Sequence, residues 1–188
     1  MFGMIAGLGA MFITGACVGI GMTALCKASR NLEDMEENWN MKNTANILIK
    51  KLTETAKIPE RGSQEAAGVD LYADTAGDVI IPPHQTVKIG TGLSMKLPDG
   101  TFGAIFARSG LATKKGLRPS NCCGVCDSDY RGEYIVALHN DTDLEQVVKP
   151  GERIAQMILM PYIAMNFLEV DELDKTERGT GGFGSTGE

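Results

Sequence analysis

TVKIGTGLSMKL, residues 86–97, decides the class of fold. Val87, Ile89, Leu93, Met95 and Leu97 alternate with Lys88, Gly90, Ser94 and Lys96. Successive side chains of a strand point to opposite faces, so period-2 alternation is the pattern of a half-buried strand. Working outward, short strand-like runs recur on both sides: ILIKKL (47–52), VDLYA (69–73), VIIPP (79–83), TFGAIFA (101–107), EYIVALHN (133–140), RIAQMILMPY (153–162) and FLEV (167–170). Gly, Pro, Asp and Asn turns separate them. Many short strands at regular spacing predict an all-β domain with a closed or double-layered sheet.

Composition agrees. The chain has 188 residues, 43% of them apolar, enough for one domain and an appendage. Its 23 glycines, against 7 prolines and a single Trp, suit a turn-rich β protein better than a helical bundle. A net charge of −6 argues against a general nucleic-acid binder, because affinity for a phosphate backbone needs clustered Lys and Arg. Five cysteines, two of them (Cys17 and Cys26) inside an apolar run, are no disulfide framework. Cys123 and Cys126 form a C-x-x-C without a second ligand pair, so small apolar side chains on a buried strand are expected there rather than a zinc or redox site.

Residues 1–26 carry no charged side chain. At about 1.5 Å per residue a helix of that length crosses a hydrocarbon core of roughly 30 Å, which predicts an apolar helix that spans or associates with a membrane. Gly3 and Gly7, then Gly15 and Gly19, have the G-x-x-x-G spacing of close helix packing in lipid. Lys27 and Arg30 follow directly, placing the bulk of the chain on the cytoplasmic side. Residues 27–43 read as a polar linker, helical where Leu32, Met35 and Trp39 share a face. The β-domain is expected over 44–176 and a Gly-rich tail over 177–188.

Three clusters suit a phosphate: ARSGLA (107–112), GERIAQ (151–156) and RGTGGFGST (178–186). Each holds an arginine, the natural fork for phosphate oxygens, and the first and third add hydroxyls and glycines that let backbone N–H groups close on an anion. The tail lacks the Gly-Lys-Ser/Thr of a Walker loop. A fourth cluster, NCCGVCDSDYRGEY (121–134), supplies Asp127 and Asp129 beside Tyr130. At strand spacing the two carboxylates would face one side, one activating water and the other ordering the turn.

In this order, AAGVDLYA (66–73), ARSGLA, GVCDSDYRGE (124–133), GERIAQMIL (151–159) and RGTGGFGSTG (178–187) resemble the five motifs of the trimeric dUTPase family, over essentially the whole stretch from residue 41 to 188. The resemblance implies a distorted β-barrel or jelly-roll subunit in a threefold homotrimer with sites shared between subunits. It also implies dUTP diphosphatase activity: hydrolysis of dUTP to dUMP and pyrophosphate, lowering dUTP and supplying dUMP for thymidylate synthesis. By the same resemblance Asp127 is the general base for water attack on the α-phosphorus. Tyr130 packs on the deoxyribose and Asn121 contacts uracil. Arg108, Ser109, Gly110 and Gln156 contact phosphates. Arg178, Gly184, Ser185 and Thr186 belong to a tail that closes on the γ-phosphate, with Phe183 stacked on the base. Asp70 and Arg153 are structural motif residues. Mg²⁺ is implied as cofactor, held by the phosphates and water with no direct protein ligand. The Cys122, Cys123 and Cys126 run departs from the family's aliphatic pattern. Two rivals remain: a dCTP deaminase, which shares fold and phosphate contacts but attacks the base, and a membrane-tethered binding module. GVCDSDYRGE and the full tail favour the first assignment.

Overall fold

The computed structural model describes residues 44–182. Residues 1–26, expected as a membrane helix, and the linker 27–43 lie outside the described residues, as do Phe183, Gly184, Ser185 and Thr186 of the tail. Among the described residues no helix is long and apolar enough to cross a membrane.

Among the described residues twelve strands and one short helix follow in order. They are β1 (Leu48–Lys51), β2 (Glu60–Arg61), β3 (Val69–Tyr72), β4 (Val79–Ile81), β5 (Thr86–Gly90), β6 (Leu93–Lys96), β7 (Thr101–Phe106), α1 (Ser109–Lys115), β8 (Leu117–Pro119), β9 (Cys123–Asp127), β10 (Ile135–Asn140), β11 (Gln146–Val148) and β12 (Arg153–Pro161). The largest sheet runs β2-β3-β12-β7-β9, and smaller ones pair β5-β10-β8, β11-β4 and β1-β6. The all-β expectation holds, with a single seven-residue helix among the described residues.

The stretch 86–97 is not one strand. It breaks after Gly90, and Gly92 takes φ +64, a left-handed conformation that glycine adopts without a Cβ penalty. The alternation survives the break because both halves line one core: Ile89, Leu93, Met95 and Leu97 are buried with Leu71, Ile81, Leu117, Leu138 and Ile154. On β10 the same alternation buries Val136, Leu138 and Asn140 while Ile135 is exposed. Asn140 is a buried amide with its bonds made. Its Nδ2 donates to the carbonyls of Ile81 (3.0 Å), Pro82 (3.2 Å) and Leu144 (2.8 Å), and its Oδ1 accepts from Thr142 N (3.0 Å) and Oγ1 (2.8 Å). A buried polar group with its partners in place avoids the cost of an unmade bond and here ties the neighbouring loops to one strand.

A further departure lies at the C-terminal side. FLEV at 167–170 forms no strand; β12 ends at Pro161, and Ile163, Met165, Phe167, Leu168 and Leu173 are all exposed. The run has strand-like residues, but among the described residues no neighbouring strand pairs with it.

Candidate active site

One row of residues crosses the large sheet. Register places Asp70 of β3 opposite Gln156 of β12, Gln156 opposite Phe106 of β7, and Phe106 opposite Cys123 of β9. At this row the Asp70 carboxylate, mostly buried, accepts from Arg108 Nε at 2.6 Å and from Arg153 Nη1 at 3.1 Å. Gln156 Nε2 donates to Ala107 O at 2.9 Å, fixing the bend through which β7 leads into Arg108. Helix α1 starts at Ser109, so the Ser109 and Gly110 N–H groups lie in a first turn that has no intrahelical acceptors for them. Both residues are exposed, and nothing lies within 4 Å of where a Cβ at Gly110 would sit. Gly116, at φ +61, ends the helix as a left-handed C-cap. Two guanidiniums against one carboxylate leave a net positive group beside a free hydroxyl, the chemistry of a phosphate contact.

The loop before β12 is fixed by a further ion pair. Lys115 Nζ reaches Glu152 Oε1 at 2.6 Å, and Glu152 Oε2 accepts from Lys149 N at 3.0 Å. Burial would push the Glu152 carboxyl up, but the Lys115 and Lys149 bonds together outweigh it and hold it below its ordinary value. Tyr72, next to the cluster, is raised by burial and then by the charges of Glu60 and Asp70, with Arg153 and Arg108 opposing.

The second group of predicted residues sits along β9. Pro119 to Cys122 form a tight turn, with Cys122 N donating to Pro119 O at 3.1 Å and Cys122 at φ +60. A cleft of about 260 Å³ follows, lined by Asn121, Gly124, Asp127, Tyr130, Glu133 and Tyr134 among others. Gly124 keeps its floor open: a Cβ there would come within 3.2 Å of Ile105 Cβ and 3.4 Å of Asn121 Nδ2. Asp127 is the last residue of β9, exposed and opposite Phe102. Tyr130 N donates to Asp127 O at 3.2 Å, closing a turn that puts the ring 5.9 Å from that of Tyr134, tilted by 55°. Behind them Cys126 is pushed up to about 11, first by burial and then by the Asp127 charge. Tyr134 is pushed up to about 12, again chiefly by burial. With that thiol and phenol held neutral, the carboxylate facing the cleft at the end of β9 is Asp127, a group suited to activating water.

The structure thus sets Asp70, Arg108, Arg153 and Gln156, with Ser109 and Gly110 following Arg108, along one row, and Asn121, Asp127 and Tyr130 around one cleft that runs along β9. Asp129 does not share a strand face with Asp127, because β9 ends at Asp127 and Asp129 lies in the following turn. Cys123 and Cys126, expected as buried strand residues, lie on β9 but are only half-buried, and Cys122 before the strand is exposed. Arg178 is exposed and donates through Nε to Gly181 O at 2.9 Å. Glu133 and Tyr134, not among the residues the sequence singles out, also line the cleft. The signal for them was their place in the run that carries Asp127 and Tyr130.

The sequence pattern of the dUTPase family matches residues 54–187. The chain belongs to the dUTPase family. It is 52% identical over 132 residues to the deoxyuridine 5'-triphosphate nucleotidohydrolase of Desulfitobacterium hafniense, covering 70% of this chain and 87% of that protein. It is 46% identical over 143 residues to the corresponding protein of Paramecium bursaria Chlorella virus 1, covering 76% and 99%. Among solved structures, the Staphylococcus bacteriophage 80alpha dUTPase with dUPNHPP superposes with a TM-score of 0.66 at 27% identity, over 77% of this chain and 100% of that one.

Proposed function

We propose that this chain hydrolyses dUTP to dUMP and pyrophosphate as a homotrimer, each site joining the Arg108 cluster of one protomer to the Asp127 cleft of another. The observation that carries the reading is the distance between the two groups within one chain. Phe102, opposite Asp127, and Phe106, two residues before Arg108, stand four rungs apart on the β7–β9 ladder. At about 3.3 Å per residue that is roughly 13 Å along the strand, before the lateral offset of β12 and β3 is added. A general base must lie within hydrogen-bond reach of its water, and that water against the phosphorus, so this separation supports a site completed by a neighbouring copy. Closed threefold symmetry can bring unlike surfaces of neighbouring copies together. The exposed apolar residues Ile163, Phe167, Leu168 and Leu173 support association, since such a run is normally covered by a partner.

In this reading Arg108, Ser109, Gly110 and Gln156 hold the phosphates, with Asp70 and Arg153 setting the pose of Arg108. Asn121 and the backbone of the Pro119–Cys122 turn read uracil, where a mismatched base edge would leave polar groups unpaired. Tyr130 packs on the deoxyribose and excludes a 2′-hydroxyl. Asp127 takes the proton of a water that attacks the α-phosphorus, and pyrophosphate leaves. Arg178, Phe183, Gly184, Ser185 and Thr186 close over the nucleotide as a lid that shuts out water. Mg²⁺ bound to the triphosphate would neutralise part of its charge; with cationic and neutral donors around Arg108, the ion would be carried by the phosphates and its own waters. The uncharged stretch 1–26, followed by Lys27 and Arg30, supports a domain held at the cytoplasmic face of a membrane, with the full chain pelleting with membranes and a chain begun at Met41 staying in the supernatant.

The test is pyrophosphate release from dUTP, dCTP, dTTP and UTP with Mg²⁺. Selective hydrolysis of dUTP is expected. Ammonia release from dCTP would indicate a deaminase, and dUTP binding without turnover would indicate a binding module.

A further inference from the structure

We infer that Glu133 is a positioning residue that sets sugar selectivity by latching the Tyr130 loop to the turn between β5 and β6. The inference rests on the dUTP reading above and concerns how the same cleft is held. Tyr130 is exposed, so its pose has to come from the loop beneath it. Its hydroxyl donates to Glu133 O at 3.0 Å. Glu133 is itself anchored: its Oε1 accepts from Gly92 N at 2.8 Å, across 41 residues of sequence.

The opposing surface is shaped to admit that carboxylate. A Cβ at Gly90 would collide with Glu133 Oε1, so only glycine lets the acid lie against β5. Gly92 presents its N–H from a left-handed turn at φ +64. The loop has flanking ties as well: Ser94 Oγ donates to Arg131 O at 2.8 Å, and Thr91 Oγ1 to Tyr134 O at 2.7 Å. Within the loop, a Cβ at Gly132 would run into the Tyr130 ring, so the ring lies back over a residue that has no side chain. The carboxylate bond is charge-assisted, the strongest of these ties by chemistry. Rejecting a 2′-hydroxyl by contact requires the ring to hold its place to a fraction of an ångström, which a loose loop cannot do.

The experiment compares kcat/KM for dUTP and UTP in the full chain and in Glu133→Ala, Glu133→Gln and Gly90→Ala, with thermal unfolding of each. Removing one charge-assisted bond should cut the dUTP-to-UTP preference about three- to tenfold in Glu133→Ala. Gly90→Ala, which displaces the same carboxylate from the other side, should do likewise. Glu133→Gln keeps an acceptor for Gly92 N–H and should restore most of the preference. A preference unchanged in Glu133→Ala, or lost equally in Glu133→Gln, would overturn the latch, as would a fall in dUTP and UTP turnover by the same factor in proportion to lost stability. A wild-type protein inactive on dUTP would instead sink the reading on which the latch rests, a result distinct from an active enzyme with unaltered selectivity.

Discussion

Asp70→Ala removes the carboxylate that holds two arginines, and its cost follows from their exposure. Arg108 Nε lies 2.6 Å from Asp70 Oδ1, with side-chain exposures of 24% and 13%, so this is a largely desolvated, charge-assisted bond. Such bonds contribute about 1.5–3 kcal/mol. Arg153 is half exposed at 51%, and its 3.1 Å contact with Asp70 Oδ2 is screened by water. That pair adds no more than about 1 kcal/mol. Asp70→Ala also leaves two like charges facing one another with no anion between, so a loss of about 3 kcal/mol is expected in urea unfolding. Arg153→Ala alone should cost under about 1 kcal/mol. Because Asp70 aims Arg108, kcat/KM for dUTP should fall by at least about tenfold in the same variant. A double-mutant cycle between Asp70 and Arg108 isolates their coupling, expected near about 2 kcal/mol. A stability change under about 0.5 kcal/mol with unaltered kcat/KM would refute the assignment of Asp70 as the organiser of this cluster.

Other expectations follow from the same contacts. Tyr134 is 1% exposed and its hydroxyl has no hydrogen-bond partner among the described residues, so Tyr134→Phe should leave the melting temperature unchanged or raised; a clear drop would reveal a partner. With its thiol pushed up to about 11, Cys126 should be alkylated at about pH 8 far more slowly than exposed Cys122, as peptide mass analysis after timed labelling will show; equal rates would count against a buried thiol. Glu152 has a lowered folded pKa, so its contribution is present above the ordinary value of 4.5 and fades as pH falls through the lowered value. Glu152→Gln should therefore be less stable than the parent near neutral pH and converge with it in acid, and a pH-independent difference would contradict the Lys115 pair.

The β class was legible because alternation is a property of single strands, and 86–97 shows it even across the bend at Gly92. The bend itself was not, because a glycine inside an alternating run looks the same whether the backbone is extended or left-handed. FLEV carried the residues of a strand but not the partner, and a strand is made by its neighbour. The spacing of Asp127 and Asp129 gives a shared face only on a continuous strand, and β9 ends at Asp127. Helix α1 escaped notice because seven residues beginning at Ser109 are too few for a helical period to stand out. Motif order pointed to Arg108, Gln156, Asn121, Asp127 and Tyr130, while their division into two places depends on strand register, which only the folded sheet supplies.

If one reaction draws Arg108 from one protomer and Asp127 from another, two inactive variants should complement each other in mixed trimers. Arg108→Ala and Asp127→Asn, each inactive alone, are unfolded, mixed in equal amounts, refolded together and assayed for pyrophosphate release from dUTP. A shared site predicts that about one quarter of the sites regain both residues and that activity returns to about that fraction of wild type. A mixture as inactive as its parents, with mixed trimers demonstrably formed, would place both residues in one chain's site.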